Sequence, residues 1–308
     1  MGVELRCPAC HRALKNEGES LLCVACGSSY GNAGGIADFS GGSYYDNFES
    51  EELLRPEHRR GLEAEVEGSR WRIERFYAGK LQGAQSVLDV GCGNGVSVDV
   101  LNALGHDAWG IDLSALRKWQ WQKRDRRDRL AVASALDLPF ADEAFDAVVS
   151  SGVIEHIGVA EEGGERYTVR PLPDRQALRE RYVRELLRVT RPGGRIYVDC
   201  PNGAFPIDFW HSAVGGRARW HRRDEGFLPS FREIKQLVLD ADPSSTVRAI
   251  SPHRRFAFRQ VGRHWYGRVM ALPMTLFFAT VGSIFGATPL NPYLVVEIRR
   301  VTGSPAAR

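Results

Sequence analysis

The sequence predicts an α/β chain folded around a doubly wound, largely parallel sheet, and three observations carry that expectation. From Ser86 onward, short apolar runs alternate with helix-compatible stretches, giving strands near 86–91, 107–112, 130–134, 145–151, 194–200, 245–251 and 294–300. The run Val87-Leu88-Asp89-Val90-Gly91-Cys92-Gly93-Asn94-Gly95 joins the first of these strands to a tight glycine turn. The second strand, Ala108-Trp109-Gly110-Ile111-Asp112, ends in a carboxylate, at the edge where open α/β sheets gather their ligands.

Composition agrees with this class. A chain of 308 residues with 43% hydrophobic content can bury one large domain and a small one, which excludes disorder on a large scale. A net charge of +3 leaves no strong nucleic-acid footprint on the chain as a whole. Arginine outnumbers lysine, and the stretch from Arg117 to Arg129 reads as solvated helix surface before it reads as a polyanion site. Met1 to Arg6 lacks the long apolar run of a secretory leader, so the expected compartment is the cytoplasm, with thiols reduced.

Residues 1–40 form the first expected segment. Cys7, Cys10, Cys23 and Cys26 fall as two C-x2-C pairs with a hairpin expected between them. Four thiolates satisfy tetrahedral Zn2+ and leave no open position, so the expected ion is structural, and it stabilises a segment too short to fold alone. A redox dithiol pair is the alternative. His11, next to Cys10, reads as a surface residue. Residues 41–82 read as a helical cap in which Trp71, Ile73, Phe76 and Tyr77 recur at helical spacing, with Tyr44 and Tyr45 as minor ligand-contact candidates. The main domain occupies 83–308.

The glycine turn reads G-x-G-x-G, and a dinucleotide site would read G-x-G-x-x-G to set a pyrophosphate on a helix N-terminus. Asp89 repels a pyrophosphate and attracts an ammonium or sulfonium. The run resembles the first motif of the class I S-adenosylmethionine (SAM) dependent methyltransferases, and the resemblance extends from Ser86 to Asn202. It implies a seven-stranded Rossmann-like sheet of order 3-2-1-4-5-7-6, whose last strand, here Leu294 to Ile298, runs antiparallel. It implies that Gly91, Gly93 and Gly95 admit the methionine moiety and that Asp89 faces its amino group. Asp112, with Leu113 after it, would take the ribose hydroxyls, for which a carboxylate is a bidentate acceptor. An N-cap role for Asp112 is less favoured because Ser114 can fill it. Ser134 and Ala135, in Ala133-Ser134-Ala135-Leu136-Asp137-Leu138-Pro139-Phe140, would flank the adenine. Ser134 stands where the family often carries aspartate, so its contact would lack charge assistance. Ser150 to Ile157 match the exit of the fourth strand, and Leu187 to Ile196 match the next helix, turn and strand. The N-terminal segment, with Tyr30 and Gly35-Ile36-Ala37-Asp38-Phe39, resembles the zinc ribbon found ahead of some of these methyltransferase domains.

Methyl transfer from a sulfonium is an in-line displacement that depends on alignment, and a hydroxyl acceptor also needs a base. His156, beyond the fourth strand, and His211, beyond the fifth, are the catalytic candidates, weighed against satisfied structural histidines. A quinone-pathway subgroup of the family binds a metal through a Glu upstream of its Glu-His pair. Here Ser151 and Gly152 precede Val153-Ile154-Glu155-His156, which argues against a catalytic metal.

An insertion at 254–293 precedes the last strand. Val269 to Leu290 carries no charge and is long enough to span a membrane, but Pro273, Gly282, Gly286 and Pro289 weaken a continuous helix, and a crossing would strand the final strand. The expectation is two short helices forming an apolar flap at the SAM edge. Arg254, Arg255, Arg259, Arg263 and Arg268, with Trp265 and Tyr266, suit peripheral contact with an anionic membrane face; a packed insertion or dimer contact is the alternative. The expected function is methyl transfer to a small-molecule or lipid-linked acceptor, at oxygen, on a glycan or isoprenoid-type intermediate. RNA base methylation is the runner-up, and a non-catalytic zinc-ribbon adaptor the third reading.

Overall fold

The structure is a computed structural model that describes residues 2–46, 56–162, 167–211, 219–222, 225–256 and 265–301, without the side chains of 56–61, 162, 265–268, 270 and 271. The chain divides into two compact units, Met1–Val149 with Arg188–Gly194, and Ser150–Leu187 with Arg195–Arg308.

The first unit contains β1 (Leu14–Asn16), β2 (Ser20–Cys23), β3 (Ser29–Gly31), β4 (Ala37–Asp38), α1 (Pro56–Trp71), a π turn at Arg72–Tyr77, β5 (Ser86–Val90), α2 (Val96–Ala103), β6 (Asp107–Asp112), α3 (Ala115–Trp121), β7 (Leu130–Val132) and β8 (Phe145–Ser151). Its strands lie in the order β1-β2-β3-β4-β7-β6-β5-β8. The third, second, first and fourth strands of the expected fold therefore stand as expected, and β5, β6 and β7 are parallel. All five residues of β5 are buried, as a parallel strand covered on both faces requires. Gly110 lets α2 lie close on β6, because a Cβ there would sit 2.6 Å from Val98 Cγ2 and 2.8 Å from Cys92 Sγ.

The hairpin expected between the cysteine pairs is present, with Leu14 opposite Cys23. The ribbon is more than an appendage, however. Its strands continue into the main sheet through β4, whose Ala37 and Asp38 pair in parallel with Ala131 and Val132, and Leu5 bridges Phe140. A strand of two residues leaves no periodicity to read, so this continuity was not visible in the sequence.

The second unit contains β9 (Val159–Glu162), β10 (Thr168–Pro171), α4 (Arg175–Val189), β11 (Thr190–Pro201), β12 (Ile207–Asp208), β13 (Arg219–Trp220), α5 (Phe231–Ala241), β14 (Thr246–Ala249), α6 (Trp265–Ile284) and β15 (Tyr293–Arg299). β15 lies between β11 and β14 and is antiparallel to both, giving the expected 5-7-6 order. β9 pairs with β10, and β12 with β13. α5 opens on a capping box in which Ser230 and Glu233 satisfy each other's backbone amides.

The insertion corrects one expectation. Two short helices were expected at the prolines and glycines; instead α6 is a single 20-residue helix running through Pro273. Proline removes the amide that would bond the carbonyl four residues back. That carbonyl belongs to Val269, which is exposed like Pro273, so water can satisfy it and the helix continues. Arg259 and Arg263, named above as basic flank, lie outside the described residues, as do the side chains of Trp265, Tyr266 and Arg268. No helix among the described residues is long and apolar enough to cross a membrane.

Trp109, Phe140 and Phe145 form the aromatic heart of the first unit, with ring centroids 5.7 Å and 4.9 Å apart in edge-to-face pairs. Phe140 is fully buried, so Phe140→Ala is expected to cost about 3–5 kcal/mol in urea denaturation. A loss under roughly 1 kcal/mol would contradict this account of the core.

Candidate functional site

The glycine turn leaves β5 with Gly91, Gly93 and Gly95 all at positive φ, 77°, 55° and 76°, a backbone path that disfavours any residue with a Cβ. The amides of Gly91 and Cys92 donate to the Ile111 carbonyl, 2.9 Å each. Gly93 N–H donates to Asp112 Oδ2 at 2.9 Å, so the ends of β5 and β6 are tied together by the residues expected to hold the cofactor. Trp121 Nε1 donates to the Gly93 carbonyl at 2.9 Å, anchoring the turn from α3.

Asp89 is fully buried, and the Arg72 guanidinium stands 3.5 Å from its carboxylate. The charge expected to face a ligand ammonium is thus already balanced by a cation of the π turn. Asp112 is buried as well, and burial pushes its carboxyl up to about 6, against the opposing pull of the Arg117 guanidinium. Arg117 is held by Glu65 of α1 at 2.9 Å. Glu65 also closes on the turn, since a Cβ on Gly93 would meet Glu65 Oε1 at 2.9 Å. The expected helical cap therefore reaches the glycine turn through a side chain that the sequence did not single out.

Ser114 caps α3 by accepting from Arg117 N at 3.1 Å, the role the sequence assigns to it in preference to Asp112. Asp46 adds a second cap, accepting from Ala115 N at 3.1 Å. Leu113 is half-buried, and its carbonyl accepts from Tyr45 N at 3.1 Å. Tyr44 donates to Asp38 at 2.7 Å, while the Tyr45 side chain is exposed. Ser134 and Ala135 follow β7, both half-buried. Ser134 Oγ accepts from Leu136 N at 3.1 Å, which shapes the turn and leaves its proton for another partner.

Cys7, Cys10, Cys23 and Cys26 converge, with all four sulfurs within 4.8 Å of one another. Cys7 and Cys26 lie 3.6 Å apart, and Cys10 and Cys23 3.4 Å. Sulfurs around one zinc at about 2.3 Å stand about 3.8 Å apart, so the quartet fits that ion. Each C-x2-C pair ends in a residue at positive φ, His11 at 56° and Gly27 at 77°, and the His11 and Gly27 amides donate back to the Cys7 and Cys23 carbonyls. His11 is thus a turn residue.

In the second unit, His156 and His211 come together, ring centroids 5.2 Å apart. His156 Nδ1 bonds Glu161, and His211 Nδ1 lies 3.0 Å from Asp208 Oδ2. Burial works against a charge on His156, but the Glu161 hydrogen bond and the neighbouring carboxylates outweigh it and raise its pKa. The same pairing lowers Glu161 although burial opposes it. Tyr167 stacks on His211 and Phe227 packs edge-on against it, at 5.8 Å and 4.7 Å. Arg179 of α4, buried, donates to the carbonyls of Glu155, Ile157 and Phe227. Burial holds its pKa down at about 10. The sequence reading missed Glu161, Asp208, Tyr167, Arg179 and Phe227; only adjacency to the two histidines could have signalled Asp208.

Residues 88–198 match the methyltransferase domain family. The chain carries a class I SAM-dependent methyltransferase domain. Among relatives of this domain are probable tRNA methyltransferase 9B of Mus musculus, 29% identical over 44% of this chain and 26% of that protein, and tocopherol O-methyltransferase of Arabidopsis thaliana, 36% identical over 37% and 29%. A third is demethylmenaquinone methyltransferase of Mycolicibacterium paratuberculosis, 34% identical over 42% and 46%. The chain spans between about a quarter and a half of the length of these relatives.

If Asp112 takes the ribose hydroxyls, they donate to its ionised form, and SAM affinity should rise as pH climbs through about 6 and fall below it. Burial disfavours that same charge, so Asp112 takes stability away from the folded chain as pH rises from about 4 to 6. Asp112→Asn should weaken SAM binding about 10- to 100-fold, the worth of a charged hydrogen-bond acceptor, and flatten the pH dependence. Unchanged calorimetric affinity in the variant would remove Asp112 from the site.

Proposed function

We propose that this chain is a SAM-dependent methyltransferase acting on a small-molecule or lipid-linked acceptor, with transfer to oxygen. The observation that carries the reading is the left-handed glycine turn tied to Asp112, beside buried Asp89, within the matched segment. SAM, when bound, supplies an electrophilic methyl group whose transfer to an acceptor oxygen leaves a neutral thioether and releases a proton. Gly91, Gly93 and Gly95 give the ligand access to the backbone, Asp112 takes the ribose, and Asp89 with Arg72 sets the charge at the amino-acid end. His156 and His211 are the candidates to receive the proton. Each has a carboxylate at Nδ1, which fixes the tautomer and leaves Nε2 as the nitrogen that can accept a proton.

Two observations support an apolar acceptor. Val269, Leu272, Leu276 and Ile284 are exposed along α6, followed by exposed Phe285 and Leu290, apolar side chains available to an apolar partner. The relatives named for tocopherol and demethylmenaquinone methylation act on molecules of that kind by their names. The segment between Asp242 and Glu297 holds no carboxylate and six arginines; Arg255, expected on the basic flank, is instead buried against Asp199 and Arg248 pairs with Glu297, and the remaining basic charge suits peripheral contact with an anionic membrane face. RNA is the second reading, favoured by the similarity to a probable tRNA methyltransferase. Labelled SAM incubated with separate lipid and RNA extracts should mark the lipid fraction; label in RNA alone would replace this reading with the second.

Structural zinc at the cysteine quartet belongs to the same proposal. Because β4 joins the ribbon to β7, stripping metal with a chelator, or Cys10→Ser, should lower the thermal midpoint by at least about 5 °C, the shift that roughly 2 kcal/mol produces in a domain of this size. SAM affinity should change little. A midpoint indifferent to both treatments would exclude a structural ion.

A further inference from the structure

We propose that Glu155, His156 and His211 together hold a divalent first-row metal ion with open coordination positions. A ligating atom from each lies within 4.8 Å of the others. Around one ion with bonds of about 2.0–2.2 Å, three ligand atoms stand about 3.0–3.6 Å apart, so closing by at most about 1–2 Å completes the set. Two imidazole nitrogens and one carboxylate oxygen suit zinc, iron, cobalt or nickel better than magnesium or calcium.

Three features of the surroundings point to an ion as well as to the cluster itself. Metal-bound imidazoles characteristically turn their other ring nitrogen toward a carboxylate, which fixes the tautomer and the ring. Both histidines are held this way, His156 by Glu161 and His211 by Asp208, and Asp208 is in turn braced by Arg219 Nε at 3.2 Å. Glu155 is 1% exposed, and its Oε2 is buried without a hydrogen-bond partner among the described residues. A carboxylate oxygen left dry and undonated is costly, and a bound cation satisfies it. The backbone around Glu155 is also fixed, by Arg179 donating to the carbonyls of Glu155 and Ile157 at 3.2 Å each.

Three protein ligands leave room for water or for an oxygen of a small molecule. The site lies wholly within the second unit and stands apart from the SAM reading. Where that reading also holds, a hydroxyl bound to the ion loses its proton more readily, and the Nε2 atoms then serve as ligands and not as bases.

Cobalt(II), titrated into the metal-stripped full chain, is the probe, followed by its visible spectrum and by elemental analysis. The expected result is one ion beyond that held by the cysteines, with a weak spectrum free of sulfur-to-metal charge transfer. Cys7→Ser with Cys10→Ser should leave this ion in place. Glu155→Gln, which keeps the side-chain shape, and His211→Asn should each remove it, with circular dichroism and SAM affinity unchanged as the sign of an intact fold. A wild-type chain that binds cobalt only through sulfur, or folded variants that keep the additional ion, would overturn the proposal. Neither result depends on methyl transfer, so the metal site and the methyltransferase reading can fail separately.

Discussion

The hydrogen bond from the Gly93 amide to the Asp112 carboxylate is the constraint on which the first unit turns. For it to form, the chain must leave β5 through three left-handed residues, and β6 must end in a carboxylate at matching height. Both conditions follow from residue choice: glycine where a Cβ would meet Glu65 or Leu130, and an acid where the strand leaves the sheet. Parallel pairing of β5 with β6 sets the height, with Val90 opposite Ile111. The candidate cofactor site is thus a consequence of how two neighbouring strands stop.

Buried acids recur throughout, and arginine accompanies them. Arg72 lies beside Asp89, Arg117 bonds Glu65 near Asp112, and Arg255 meets fully buried Asp199 at 2.7 Å. Asp199 also accepts from Ser151 at 2.6 Å and from Tyr293 at 2.5 Å, which satisfies its oxygens inside the second unit. A guanidinium is planar, weakly hydrated and permanently charged, so it can enter such places where an ammonium would lose its proton or its water at greater cost. The preference for arginine over lysine, which could be read as bias in composition, is therefore put to structural use at these positions. Glu155 is the contrast: its Oε2 has no donor among the described residues.

Much of the fold was legible because its signals are local. The seven core strands lie within a few residues of their expected positions, since β-branched and apolar runs bounded by turns survive any tertiary context. The cysteine quartet was legible from spacing alone, Asp89 and the glycines from one short motif, and Asp112 from the end of the following strand. Much of what the sequence hid arrives from a distance. Glu65 reaches the glycine turn and Arg72 reaches Asp89 from the helical cap, whereas Glu161 and Asp208 are close in sequence to their histidines and went unread for want of a periodic pattern. Glu155 precedes β11 and His211 follows it, and no spacing rule connects the two. The helix α6 was misread for a different reason: proline breaks a helix only when the carbonyl it orphans has no other partner, and exposure cannot be read from the residue itself.

The joining of the ribbon to the sheet has a consequence for the chain as a solute. Without β1 to β4, the strand β7 would present a raw row of amides and carbonyls, open to pairing with any extended segment of another chain. With them, the border on that side is β1, three residues long, with Lys15 at its centre. A border that short and charged gives a foreign strand little to extend. The four-cysteine segment thus acts as a selvedge, finishing the margin of the sheet so that it does not unravel into aggregation.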